Sequence, residues 1–287
     1  MGRGDKVNKH AALDSFLCDI CQPDFGLVTN CGKDHLEGYG SEAAVIASNK
    51  ELYEYLLTTE GHVFVHSRNN TLCEISDGLS RTFYGNNASD NEVYSEIIEE
   101  FPTLSLNIKT NNETWSVSSK LYGGFQEANI LGAIAVGTYF DVTQENIKEA
   151  IETYEPLHNR SQVIEWRGNT VLLDAYNANP SSMMAMIDYF DRYPAKQKII
   201  ILGSMEELGA ASDNEHLAIV EQLKKNQCDH VFLVGDPFKA MSNELDCMHF
   251  NDTLQLMAHL DKQSFTGHSI LVKGSRKHAL EKLFKTH

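Results

Sequence analysis

The sequence predicts an α/β protein of two domains, the second built on a mostly parallel sheet. Three observations carry this. Beyond residue 160, short apolar runs rich in β-branched residues recur at 171–174, 198–202, 231–234 and 270–272, with a weaker one near 248–250. Segments of helical periodicity fill the gaps between them, and strands alternating with helices through short turns form a parallel sheet covered on both faces. The length of 287 residues, 42% of them hydrophobic, is enough for two domains with a core each.

Taken from the start, residues 11–20 place apolar side chains at helical spacing, and Gln22-Pro23-Asp24 ends that helix. Phe25-Gly26-Leu27-Val28-Thr29 reads as a buried strand. The loop 30–40 then carries three glycines, a histidine and two carboxylates, a composition suited to a ligand. Residues 41–57 form a helix capped by Ser41, and residues 62–66 a short strand. Residues 68–91 are polar and broken, with a strand around Thr82-Phe83-Tyr84. Residues 104–108 and 114–117 read as a hairpin around Asn111-Asn112. Gly123-Gly124 leads into an apolar helix at 125–140, followed by a shorter one at 142–154 capped near Thr143. Glu155-Pro156-Leu157-His158-Asn159-Arg160 reads as the linker, which sets the domains at 1–154 and 155–287. Helices of the second domain are expected at 181–193, 214–226, 237–243, 253–260 and 278–284.

The formal charge of −16 argues against non-specific binding to nucleic acid or to an anionic membrane. Such a chain can still bind ATP through a local nest of amides and a few cations. No stretch approaches the about 20 apolar residues of a membrane span. Met1-Gly2-Arg3-Gly4-Asp5 leads into polar sequence, so no signal peptide is expected. The six cysteines have no framework spacing, and Cys18-Asp19-Ile20-Cys21 has no second pair. Reduced thiols and a cytoplasmic home follow.

One stretch organises the second domain: Asp174-Ala175-Tyr176-Asn177-Ala178-Asn179-Pro180, after the apolar run 170–173 and before Ser181-Ser182-Met183. Pro180 suits the first turn of a helix, and Asn179 the cap before it. Asp174 thus stands at the carboxyl end of a strand, where open α/β sheets bind ligands. The residues alone also allow an ordinary βα turn with polar caps.

DAYNANPSSM resembles the motif that opens the C-terminal domain of the Mur ligases, above all those members that add D-alanyl-D-alanine to the peptidoglycan precursor. Thr29-Asn30, followed by Gly32-Lys33-Asp34-His35-Leu36-Glu37-Gly38-Tyr39-Gly40-Ser41, is similar to the family's central-domain motif. Asn159-Arg160-Ser161-Gln162 and Lys273-Gly274-Ser275-Arg276 match its N-R-S-Q and K-G-S-R. The resemblance implies a truncated central domain followed by a Rossmann-like C-terminal domain. It also implies an ATP-dependent ligase joining UDP-muramoyl-tripeptide to D-alanyl-D-alanine, with ATP and magnesium (Mg2+) as cofactors. His35 would help hold magnesium near the γ-phosphate as a catalytic and metal-binding residue, and Asn129 would lie near the adenine. Arg160 would face the phosphates and Asp174 the ribose hydroxyls. Asn177 and Asn179 would shape the turn over the reacting centre. Catalytic Lys273, with Gly274, Ser275 and Arg276, would face the dipeptide or the peptide end of the precursor.

The chain departs from the family pattern in four places. Asn49 stands where the family carries a lysine, often carbamylated, and Lys50 is its neighbour. One residue turns a helical side chain by about 100°. Gln126 replaces an asparagine of the adenine motif, Ser204 an aspartate of L-G-D-M-x-E-L-G, and Asp34 a small residue. Nowhere does the sequence contain the phosphate loop G-x-x-x-x-G-K-S/T. In the family that loop, and the domain gripping the UDP-sugar, lie upstream of the matching part. Two alternatives therefore stay open: a non-catalytic remnant or binding module, and the back half of a split ligase. The strand at 25–29 would lack its neighbour, which predicts an N-terminal half on another chain or self-association.

Overall fold

The computed structural model describes residues 13–32, 36–85, 91–110, 113–242 and 245–284. The chain divides into two compact units, Met1–Lys120 with Gly124–Tyr154, and Leu121–Gly123 with Glu155–His287.

The first unit runs α1 (Leu13–Cys21), β1 (Phe25–Leu27), α2 (Leu36–Tyr39), α3 (Glu42–Thr58), β2 (His62–His66), α4 (Asn70–Ile75), β3 (Ser80–Gly85), β4 (Val93–Glu99), β5 (Ser105–Thr110), β6 (Glu113–Ser118), α5 (Glu127–Tyr139) and α6 (Gln144–Thr153). Its six strands lie in sequence order, parallel from β1 to β4 and antiparallel from β4 to β6. The Ser41 hydroxyl accepts from the Ala44 amide and starts α3, and the Thr143 hydroxyl starts α6 in the same way. Tyr53 and Leu56 of α3 pack with Val28, Val63, Val65 and Leu72 in one buried cluster. Strand β1 is the edge of the sheet, bonded to β2 on one side, with no strand on its other side among the described residues.

Two elements here depart from the sequence expectation. The stretch taken as polar and broken holds α4, which Asn69 starts by accepting from the Leu72 amide. Its polar composition reflects a short surface helix with one fully buried residue, Leu72. Strand β4 was not anticipated, because Ile97 and Ile98 are both exposed and Glu96 and Glu99 interrupt any alternation.

The second unit runs β7 (Gln162–Trp166), β8 (Asn169–Asp174), α7 (Pro180–Arg192), β9 (Lys198–Gly203), α8 (Ser212–Leu223), β10 (His230–Val234), β11 (Met248–Phe250), α9 (Thr253–Leu260) and β12 (Ser269–Lys273). The strand order is β11-β10-β9-β12-β8-β7, and every pairing is parallel except the β7–β8 hairpin. Arg167 and Gly168 both take positive φ, 49° and 74°, in the two-residue turn of that hairpin. Strand β7, just beyond the expected linker at 155–160, was not anticipated. The helix expected at 278–284 is instead two 3-10 turns, Arg276–His278 and Leu280–Phe284, split by left-handed Ala279. Where a helix was expected at 237–243, the chain begins with the 3-10 turn Asp236–Phe238. The core between strands and helices is Val171, Leu173, Ile199, Ile201, Phe232, Val234, Ile270 and Val272 with Leu256 and Leu260. Leu121–Gly123 joins this unit through Tyr122, fully buried, whose ring stacks on Tyr189 at 5.7 Å. Among the described residues no helix is long and apolar enough to cross a membrane.

Candidate functional site

Strands β8 and β12 are parallel neighbours, and the register sets Asp174 directly beside Lys273 at their carboxyl ends. Lys273 Nζ lies 2.6 Å from Asp174 Oδ2, with the two side chains 2% and 18% exposed. The ammonium also donates to the Asn177 carbonyl at 3.3 Å, while Asp174 Oδ1 accepts from the Ser161 amide at 3.3 Å. Burying a charged pair is costly unless hydrogen bonds complete it, and here both partners have them. Lys273 is therefore turned inward, onto the carboxylate that ends the neighbouring strand.

The segment preceding β7 is held under strain. His158, Asn159 and Ser161 all have positive φ, 58°, 60° and 47°, on either side of Arg160. Non-glycine residues persist in that region only where surrounding bonds over-determine them, and such strain gathers at functional sites. The bonds are present: Asn159 N donates to Gln162 Oε1 at 2.9 Å, and Ala175 N donates to the Asn159 carbonyl at 2.8 Å. With the Ser161–Asp174 contact they fix the base of Arg160 to the end of β8. Arg160 is exposed, and its guanidinium lies 3.7 Å from the ring centroid of Tyr176. The guanidinium of Arg276 lies 5.2 Å from the same centroid.

The turn from β8 into α7 is built by its asparagines. Asn177 Oδ1 accepts from Ala178 N at 2.9 Å. Asn179 caps α7 through a reciprocal box with Ser182, and Pro180 occupies the first turn. Beyond β12, Gly274 passes so close to β9 that a Cβ there would stand 2.9 Å from the Gly203 Cα. Ser275 is buried, and its hydroxyl has no partner among the described residues. The serine that replaces the family's aspartate, Ser204, is buried and lies 2.7 Å from His278 Nε2.

In the first unit, His35 lies outside the described residues, as do Lys33 and Asp34. Asn129 is exposed, and its amide donates to Gln126 Oε1 at 2.9 Å, so the two amides of the adenine motif hold one another. Asn49 lines a hollow of about 380 Å³ with Asp14, Cys18, Leu27, Thr29 and Asn30. Its amide donates to the Val45 carbonyl at 3.0 Å, and Lys50 pairs with Glu54 at 2.9 Å. Both side chains are thus engaged within their own helix. Among the described residues no three His, Cys, Asp or Glu side chains converge.

The chain matches the Mur ligase middle domain over residues 7–137 and the Mur ligase, glutamate ligase domain over residues 159–276. The chain belongs to the Mur ligase family. It is 28% identical to the UDP-N-acetylmuramoyl-tripeptide–D-alanyl-D-alanine ligase of Escherichia coli K12, over 96% of this chain and 62% of that protein. The ligase of the same name from Bacillus subtilis 168 is 24% identical, over 94% of this chain and 60% of that protein. This Mur ligase chain therefore spans about three fifths of the relatives it matches. In fold it is similar to MurF from Acinetobacter baumannii, with TM-score 0.82, 23% identity and coverage of 94% of this chain and 60% of that one. The MurF ligase of Thermotoga maritima, solved in complex with ADP, gives TM-score 0.80 at 21% identity, over 93% of this chain and 62% of that one.

The Mur ligase motifs of the second unit converge on one place: Arg160, Asp174, Asn177, Lys273, Ser275 and Arg276 come from the ends of β8 and β12 and the strained segment before β7. Sequence reasoning missed the part of Tyr176, which lies inside the quoted motif. Its only signal was an aromatic ring between two cationic motifs, and nothing in the spacing tells that both reach it.

Proposed function

We propose that this chain is the nucleotide- and dipeptide-handling portion of a ligase that adds D-alanyl-D-alanine to UDP-N-acetylmuramoyl-tripeptide. One observation supports this most: two exposed arginines, unpaired by any carboxylate among the described residues, stand beside a buried Asp174–Lys273 pair at strand ends, in a Mur ligase chain. The names of the relatives supply the substrates, and the family resemblance supplies the course of the reaction. A substrate carboxylate attacks the γ-phosphorus of ATP, and ADP leaves. The dipeptide amine attacks the acyl phosphate, and inorganic phosphate leaves. Negative charge gathers on phosphoryl oxygens in both steps, and fixed cations there lower the barrier. Arg160 supplies such a cation, and the Lys273 ion pair holds Asp174 rigid for the ribose hydroxyls. ATP is the nucleotide; where magnesium takes part, His35 is the family's ligand for it.

The phosphate loop must come from outside these 287 residues, on the same polypeptide or another. A fluorescent ATP analogue titrated against the chain and against Asp174→Asn tests the reading. The wild type should bind, the variant about tenfold more weakly, and product should not form above a boiled control when precursor, dipeptide and magnesium are added. Equal binding by the two proteins would overturn the nucleotide assignment. A second reading, a non-catalytic binding module, is favoured by Asn49, whose amide is spent on its own helix. Ligation restored by adding the missing family segment in trans would exclude it.

A further inference from the structure

We propose that Arg160 and Arg276 form one polyphosphate clamp, and that Tyr176 is the positioning residue that sets its width. Resemblance separates the two arginines, giving Arg160 to the nucleotide and Arg276 to the peptide side. Their geometry joins them. Both guanidinium carbons sit on one aromatic ring, 3.7 and 5.2 Å from its centroid, so they are less than about 9 Å apart. A single polyphosphate chain reaches both.

Three features point to an anion as the occupant. Two guanidiniums at that separation repel one another, and the negative face of the Tyr176 ring offsets only part of the repulsion. No carboxylate among the described residues pairs with either, although the chain carries 40 Asp and Glu against 24 Lys and Arg. The adjacent Lys277 shows that acidic partners are within reach of this loop, since it pairs with Glu206 at 3.0 Å. Asp174, the carboxylate at the end of β8, is already taken by Lys273. Guanidinium groups with free donor edges match phosphate oxygens in pairs.

Tyr176 can set the spacing because its own backbone is fixed. It lies between Ala175, whose amide donates to the Asn159 carbonyl at 2.8 Å, and Asn177, whose carbonyl accepts from Lys273. The base of Arg160 and the base of the ring are thereby tied to the same strand end. Arg276 follows Lys273 by three residues, so the ion pair with Asp174 ties it there as well.

The clamp rests on the nucleotide reading above, and the test separates the two. Inorganic tripolyphosphate, ADP and D-alanyl-D-alanine are titrated calorimetrically into the full chain and into Arg160→Ala, Arg276→Ala, Tyr176→Phe and Tyr176→Leu. Arg160→Ala and Arg276→Ala should each weaken tripolyphosphate about tenfold. Tyr176→Phe should bind as the wild type does, because the ring and not its hydroxyl carries the contact. Tyr176→Leu should lose about as much as either arginine variant while melting within a few degrees of the wild type. Arg276→Ala that holds tripolyphosphate at wild-type affinity overturns the clamp and leaves the nucleotide site standing. So does Arg276→Ala that loses only D-alanyl-D-alanine. A wild-type chain that takes up neither tripolyphosphate nor ADP overturns both.

Discussion

His216 has one protonation state that fits its neighbours. Its Nε2 accepts from the Met205 amide at 2.9 Å, so that nitrogen carries no proton, and its Nδ1 donates to the Ser212 carbonyl at 2.7 Å. The ring is fully buried, and burial pushes its pKa below the ordinary histidine value despite Asp213, Glu206 and Glu215 nearby. The folded state then binds fewer protons than the unfolded chain. Stability from this group is complete above the unfolded pKa of about 6.5 and is lost as pH falls through the lower folded value. His216→Gln keeps an acceptor and a donor without a titration, so its melting temperature should fall less between pH 7.5 and 5.5 than that of the wild type. Equal falls would place the acid sensitivity elsewhere, His62, His66 and His278 being the other histidines lowered by burial. At this scale the sequence reveals which residues matter but not whom they meet. Asp174 and Lys273 were legible as motif residues, yet they are 99 positions apart and become partners only through strand register. Asn179, by contrast, was legible as a cap, because capping is a local rule.

The elements of the second unit were legible wherever they are buried on both faces. Strands β8, β9, β10 and β12 are unbroken apolar runs, since helices cover them above and below. Strand β7 is an edge with Val163 exposed, and β4 begins buried and ends exposed, so neither carries that signal. What brings the site together is an approach of backbones that no hydrophobic pattern reports. Gly274 after β12 faces Gly203 at the end of β9, with the Gly203 nitrogen 3.0 Å and the Leu280 side chain 2.9 Å from where a Cβ would stand. Gly274→Ala must move a strand end or a core leucine, and overpacking of this kind costs about 1–3 kcal/mol. Urea denaturation should show a lower midpoint with an unchanged slope, and nucleotide binding should weaken because Lys273 and Ser275 flank the shift. An unchanged midpoint would mean that the strand ends are loosely packed.

For the molecule as a whole, the first unit carries the conspicuous liability. Strand β1 ends the sheet with one side unbonded among the described residues, and Phe16, Ile20 and Phe25 are 61%, 65% and 39% exposed. Such an edge is a template for another chain, and the net charge of −16 opposes but does not cover it. The full chain should self-associate at micromolar concentration in moderate salt, read by light scattering, and Phe16→Glu with Ile20→Glu should return it toward monomer. A monodisperse wild type would show that this edge is protected. The second unit has a different dependence. Leu121–Gly123 belongs to it, although the residues on both sides belong to the first. During synthesis at about 5–20 residues per second, Tyr122 emerges seconds before its stacking partner Tyr189 is made. A large ring destined for the interior thus waits in water, available to chaperones, until the ribosome reaches the later unit. A gene cut at residue 155 would yield a second unit from which that ring is missing.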